Sequence, residues 1–369
     1  MEGAKQKPNG RMQKAAKAAL LYAWAPRVTE YLRSWQFWLG IAISALFLWL
    51  ALRGLRLADV WQAIQGAQYL WLIPGLAAYW IGVWVRSWRW TYLLRPLKRI
   101  STRTAFPIVV IGYMGNNILP ARSGELLRSY VLRRRENVPI SGSLATIVLE
   151  RAFDGVVMLS FVVINLPELA RVSSDSGLVG NLYNLAILGV TAFFIAVVLL
   201  VFMAIYPTHA ESALQWVNQR FVPHRFRDQV TQLSLNFLQG LGALRSPRDL
   251  FMVLVTSVLI WLLETVKYWY LMQAFPFEVS FFALMLMNGV VNLATTLPSA
   301  PGYIGTFDAP GIAVLVAYSV NRAVATGYTL VLHAALWLPI TLLGFYFMVR
   351  EGISWRSVRA ETADPGAGG

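Results

Sequence analysis

The chain has 369 residues, of which 57% are hydrophobic and 14% charged, with a formal net charge of +14 and a mean hydropathy of +0.53. Soluble domains carry about 25% charged residues, so the polar surface is too small for a water-soluble globule. The sequence has no cysteine, which excludes disulfides and thiolate metal sites. The basic residues sit between apolar segments, where they serve topology and anionic-lipid contact rather than nucleic-acid binding.

Residues 1–35 are basic and mostly polar, without the continuous apolar core of a signal peptide. They read as a cytoplasmic N-terminal segment ahead of a single transmembrane domain over 36–350. The first apolar segments are Phe37–Leu52 and Tyr69–Leu94. The second ends among basic residues, and its Arg86 and Arg89 are expected to snorkel to head groups.

From Thr104 an apolar run reaches Asn116 and Asn117, breaks at Leu119-Pro120, and restarts as a helix at Gly124 that ends in Arg133, Arg134 and Arg135. Basic clusters favour the cytoplasmic side. A re-entrant hairpin that enters from the cytoplasm and turns at Leu119–Gly124 keeps this cluster inside, whereas a full crossing would put it outside. The next helix runs outward to about Leu166 and carries Glu150, Arg151 and Asp154. A polar loop over 173–181, a segment over Leu182–Tyr206, a basic amphipathic cytoplasmic stretch over 207–248 and a span over Leu250–Phe275 follow.

Within Phe281–Val320 the order of the first hairpin recurs as Asn292, Leu297-Pro298, Gly302, Gly305 and Asp308. This second hairpin would enter from outside. The span Thr326–Val349 returns inward, and residues 351–369 read as a disordered cytoplasmic tail. The predicted fold is an all-α polytopic protein of the cell (inner) membrane, with both termini cytoplasmic. It has six full spans plus two opposed re-entrant helical hairpins, equivalent to eight helices if each long arm counts as a span. Each half, about 36–166 and 182–350, reads span, span, hairpin, span. Three spans per half make an inverted repeat, as in many secondary transporters.

Two turns carry candidate chemistry. At the first, Pro120 ends a helix and Arg122 sits beside the start of the next, where amides and the helix dipole favour an anion. The alternative is a packed corner in which Glu125 neutralises Arg122 or Arg128. At the second, Gly302 and Gly305 permit close backbone approach, and Asp308 reads either as an N-cap or as a proton- or cation-coupling group. The candidate substrate-binding residues are Asn116, Asn117, Arg122, Gly124, Glu125, Arg128, Asn292, Gly302, Gly305 and Asp308. Glu150, Arg151 and Asp154 share one helix, and Glu264 and Lys267 stand at i, i+3 in another. These five form a candidate charge network, either a structural lock or a set in which a carboxylate changes protonation. His333 reads as a packed histidine. No HExxH, GxSxG or Walker loop is present, so no enzyme activity, metal or cofactor is expected.

The stretches LPARSGELLRSYVLRRR, LERAFD and LPSAPGYIGTFDA resemble the lysylphosphatidylglycerol synthase transmembrane family, also called the flippase-like domain family, over about residues 35–350. Members include the lipid-flipping half of an enzyme that makes and exports aminoacylated phosphatidylglycerol. The resemblance carries over to Arg122, Gly124, Glu125 and Arg128, to Glu150, Arg151 and Asp154, and to Pro298, Gly302 and Gly305. The family often has Glu where this chain has Asp308. With only a short tail after the last span, the chain is not expected to make the aminoacylated lipid itself. The resemblance implies a lipid translocase for an anionic or amphipathic lipid, of phospholipid or polyprenyl-phosphate type. The alternatives are a scaffold for a lipid-modifying enzyme or glycosyltransferase, and an embedded lipid transferase. The expected partners are membrane lipids, with a homo-oligomer or a lipid-modifying enzyme as further options.

Overall fold

The computed structural model describes residues 35–119, 123–172, 176–297 and 299–353. All regular structure among them is helical. In chain order the helices are α1 (Trp35–Leu52), α2 (Leu57–Gln65), α3 (Leu72–Leu94), α4 (Thr102–Ile118), α5 (Gly124–Glu136), α6 (Ile140–Val172) and α7 (Ser176–Ile205). They continue with α8 (Pro207–Phe221), α9 (Arg227–Gly240), α10 (Pro247–Met272), α11 (Phe281–Ala294), α12 (Asp308–Ala317) and α13 (Arg322–Arg350).

Local chemistry sets several ends. Ser101, Ser246 and Ser280 cap α4, α10 and α11 by accepting the amides of Thr104, Asp249 and Ala283. Pro247 at the first position of α10 lacks the amide that would go unpaired there. Asn137 ends α5 in the left-handed conformation at φ 55°, just after Arg133, Arg134 and Arg135 at the negative end of the helix dipole.

The packing is reciprocal. α3 runs along α10, α4 packs on α13, and α5 and α11 pack on α6. Polarity is inverted relative to a soluble protein. Arg89 and Glu150 are fully buried, while Trp49, Phe194, Leu338 and Leu342 face outward. Among the described residues, α10 and α13 are long and apolar enough to cross a membrane. Up to four spans result if the bent pairs α1–α2 and α7–α8, with bends of 83° and 106°, each count as one.

The predicted breaks at Leu119 and beyond Leu297 are present, and α4, α5, α11 and α12 end or begin within a few residues of the expected positions. Three boundaries differ. α6 continues past Leu166 to Val172. The stretch predicted as a loop at 173–181 is helical from Ser176, since Ser and Gly also open helices. α2 is an additional helix whose nine residues are too few and too mixed to stand out as a span. Residues 1–34, most of the predicted N-terminal segment, and 354–369, most of the predicted tail, lie outside the described residues.

The two arms of the first break touch backbone to backbone. A Cβ on Gly124 would lie 2.1 Å from the Gly112 carbonyl oxygen and 2.3 Å from the Asn116 nitrogen. Neither is a side chain that can swing aside, so Gly124→Ala must push α4 and α5 apart. Overpacking of this kind costs about 1–3 kcal/mol. A lowered melting temperature for Gly124→Ala is expected in thermal unfolding of the detergent-solubilised protein. Gly66→Ala, where the nearest atom is at 3.4 Å, should leave it unchanged.

Candidate functional site

Four helices bring ionisable side chains together in the interior. Arg89 of α3 grips Asp154 of α6 through both ends of its guanidinium, at 2.6 and 3.2 Å. It also donates to Ser257 of α10 at 2.8 Å and pairs with Glu150 at 3.1 Å. The indole nitrogen of Trp261 donates to Asp154 at 3.0 Å. Arg128 of α5 pairs with the other oxygen of Glu150 at 3.1 Å and stacks over Trp90 at 3.7 Å. Arg151 donates to Glu125 at 2.9 Å and lies 3.7 Å from Asp154. Arg86 joins Glu264 at 3.1 Å and reaches Asp154 at 4.0 Å. Lys267 completes the chain through Glu264.

Among the described residues this network holds five cations (Arg86, Arg89, Arg128, Arg151, Lys267) and four carboxylates (Glu125, Glu150, Asp154, Glu264). One positive charge is in excess. Bringing charge out of water is expensive unless it is paired, and isolated like charges repel, so the alternation of sign along the network is what makes its burial tolerable. Cationic groups also face aromatic rings: Arg86 over Trp261 at 5.2 Å and Lys267 over Tyr79 at 4.8 Å.

The network opens on a cleft of about 160 Å³. Arg86, Arg151, Glu264 and Lys267 line one side. Asn116 and Asn117 come from the end of α4, Asn292 from α11, and Gly302, Tyr303 and Phe307 from the second break. The Asn116 side-chain oxygen is buried without a hydrogen-bond partner.

One face of α13 holds both breaks. Thr341 accepts from the Asn117 side chain at 2.9 Å, and the Trp337 indole donates to the Asn117 carbonyl at 3.4 Å. One turn earlier, His333 contacts the Gly302 carbonyl at 2.7 Å and Asp308 at 2.9 Å. Positions 333, 337 and 341 are four apart and therefore stack on one side of a helix. The second break needs its glycines. Gly302 has φ +78° with Trp337 and the Asn117 carbonyl beside it, and Gly305 has φ +84° against the α1 backbone at Ser44.

Of the predicted binding residues, Asn116, Asn117, Asn292 and Gly302 line the cleft, as do Arg151, Glu264 and Lys267 of the predicted network. Gly124, Glu125, Arg128, Gly305, Asp308, Glu150 and Asp154 are not among its lining residues, but Glu125, Asp154 and Asp308 bond to the lining residues Arg151, Trp261 and His333. Arg122 and Pro298 lie outside the described residues. Glu125 pairs with Arg151, not with Arg128, because α6 presents a guanidinium to it while Arg128 turns inward to Glu150. Asp308 is not an N-cap: it occupies the first turn of α12, and its carboxylate reaches back to accept the Gly305 amide at 2.8 Å.

Arg86 and Arg89 do not snorkel to head groups. They are 7% and 0% exposed, because the carboxylates of α6 and α10 are nearer than any interface. The available signal was their depth: Arg86 stands eight residues before Leu94, about 12 Å along the helix at 1.5 Å per residue. His333 and Trp337 gave no comparable sign, since a lone His and a lone Trp in an apolar span resemble packing residues.

Removing one member of a buried pair strands the other, at about 3–5 kcal/mol. Arg89→Gln is therefore expected to lower the melting temperature sharply in detergent. Arg56→Gln, which breaks the exposed pair with Asp59, should leave it unchanged.

The sequence matches the family model described as the lysylphosphatidylglycerol synthase TM region over residues 37–344. Among curated proteins, the chain is 26% identical over 303 residues to the glycosyltransferase AglD of Haloferax volcanii, covering 73% of this chain and 48% of AglD. It thus spans about half the length of that relative. UPF0104 membrane proteins match more evenly. One from Methanothermobacter thermautotrophicus is 24% identical, covering 83% of this chain and 90% of its own length. One from Pyrococcus horikoshii is 22% identical, covering 85% and 95%. Together with the apolar helices, these matches make the chain an integral membrane protein, a member of the lysylphosphatidylglycerol synthase transmembrane-region family.

Proposed function

We propose that the protein is a lipid translocase that passes the head group of an anionic or amphipathic lipid, of phospholipid or polyprenyl-phosphate type, through the cleft between the two helix breaks. The observation that carries this reading is the net positive, aromatic-lined network opening on that cleft. An excess cation held away from water is stabilised by an anion, and a lipid phosphate supplies one while its chains stay in the bilayer. Intramembrane ionisable groups facing an interior cavity are the usual mark of a transport path.

In this reading α1, α3, α6, α7, α10 and α13 cross the membrane, and α4–α5 and α11–α12 are re-entrant. The arms have 17, 13, 14 and 10 residues, or about 15–26 Å at 1.5 Å per residue, short of the roughly 30 Å hydrocarbon core. The reciprocal packing supports an inverted repeat: α4 of the first hairpin rests on the last span of the second half, and α11 of the second on the last span of the first. Broken helices meeting at a repeat interface are a common transporter design. The basic residues after α3 and at the end of α5 favour cytoplasmic termini in the cell membrane.

A second reading has its own support. The relative AglD is named a glycosyltransferase, and the match covers about half of it. A scaffold that holds a glycosyltransferase or another lipid-modifying partner beside its lipid substrate accounts for that pairing without transport.

Reconstitution into liposomes with labelled lipids on one leaflet separates the two. Faster leaflet exchange of at least one anionic lipid is expected from the translocase; unchanged distributions across a broad panel, with a glycosyltransferase co-purifying, would favour the scaffold. Lys267→Gln removes one charge-assisted contact to the head group, a contact that contributes about 1.5–3 kcal/mol. Exchange of anionic lipid should fall at least ten-fold, with Glu264 still held by Arg86.

A further inference from the structure

His333 lies between two hydrogen-bond acceptors. Its Nδ1 is 2.9 Å from Asp308 Oδ1, and its Nε2 is 2.7 Å from the Gly302 carbonyl oxygen. A neutral imidazole has one N–H and one lone pair. If Asp308 were ionised and His333 neutral, one ring nitrogen would place its lone pair against an oxygen lone pair at hydrogen-bond distance. The observed geometry therefore needs two protons among the three groups. They sit either as an imidazolium facing a carboxylate, or as a protonated Asp308 donating to Nδ1 while Nε2–H donates to Gly302. The proton count is the same in both.

The remaining contacts fix Asp308 in place. Its second oxygen accepts the Gly305 amide at 2.8 Å, and Phe307 lies over the His333 ring with centroids 4.5 Å apart. The other titratable groups lining the cleft are Tyr79 and Arg86 on α3, Tyr113 on α4, Arg151 on α6, Glu264 and Lys267 on α10, and Tyr303 in the break. The acids and bases among them are already paired: Arg86 and Lys267 with Glu264, and Arg151 with Glu125. The Asp308–His333 pair stands apart from that network on α12 and α13, and His333 lines the cleft, which gives a leaving proton a way out.

Loss of one proton breaks one of the two bonds. Either Asp308 releases α13, or His333 releases the Gly302 carbonyl. Gly302 packs against Trp337, which in turn holds Asn117 of the first break, so that bond governs how the two breaks meet.

We propose that Asp308 and His333 form a proton-binding site that latches the second helix break to α13, and that this proton is the coupling ion of transport. The coupling half rests on the translocase reading above; the proton site does not.

Two measurements on the full chain in liposomes of phosphatidylethanolamine and phosphatidylglycerol test it. The first is solid-state NMR of ¹⁵N-labelled histidine between pH 5 and 9, with the His333 signals assigned by their loss in His333→Gln. A change in the His333 nitrogen signals within this range is expected, and a different one in Asp308→Asn, where no carboxyl group remains to share the proton. No change across the range, or an identical change in Asp308→Asn, overturns the proton site. The second is lipid exchange under opposite pH gradients. The ratio of the two rates should differ at least several-fold from one in the wild type and collapse to about one in His333→Gln, whatever its absolute rate. Exchange with a ratio of one in the wild type, or an unaltered ratio in His333→Gln, overturns the coupling and leaves the translocase reading standing. No exchange of any lipid overturns the translocase reading and the coupling with it, while the NMR titration still decides the proton site.

Discussion

The pairing of Arg89 with Asp154 and Glu150 is the constraint on which the interior depends. A guanidinium with no exposed surface must have its charge balanced within the protein; here two carboxylates of α6 balance it, and Asp154 and the Ser257 hydroxyl of α10 accept from its terminal nitrogens. A bidentate fork tolerates little displacement. It therefore fixes the relative height and rotation of α3, α6 and α10, which apolar packing alone would leave free to slide. Buried ion pairs add little net stability once desolvation is counted, but an incomplete set is costly. The network thus acts as a register device. The same arrangement turns Arg128 toward Glu150 and thereby sets α5, and through Gly124 it sets the end of α4 where Asn116 and Asn117 reach the cleft.

α13 plays the complementary part with neutral groups and one titratable pair. Its His333 and Trp337 meet backbone oxygens that the helix breaks leave without helical partners, and its Thr341 accepts from the Asn117 side chain at the first of them. Broken helices persist in a membrane only where something replaces the lost backbone bonds. In this protein the replacement for both breaks comes largely from a single helix, so the two tips share one support rather than two independent ones.

Much of this was legible in the sequence. Apolar runs of spanning length and the Leu-Pro and Gly signals located the helices and both breaks, because those signals are local. Glu150, Arg151, Asp154, Glu264 and Lys267 stood out because charge inside an apolar run has few uses. The pairing of those charges was not legible. Arg86 and Arg89 lie near a basic helix end, where sequence spacing gives no sign that α6 and α10 approach. Glu125 lies three residues from Arg128, yet its partner is 26 residues away on another helix. His333 and Trp337 act through backbone groups of distant segments, and a backbone acceptor leaves no mark in a sequence. Ser176 illustrates the opposite limit: a residue type equally suited to a loop and to a helix start carries no decision by itself.

The first span has a role that its composition conceals. Ser44 accepts the Ala300 amide at 2.9 Å, Gly40 lies against the Ser299 carbonyl, and Gly305 presses on the α1 backbone at Ser44. α1 is thus an outer wall of the second break, and its hydroxyl stands in for a backbone bond the broken helix has lost. An apolar helix that serves only as an anchor can be exchanged for any other of equal length. This one carries a small, polar face whose shape is read by Gly302–Asp308 from the far end of the chain. Membrane insertion and site assembly are therefore separable properties of the same eighteen residues: a generic leucine-rich span would preserve the first and abolish the second.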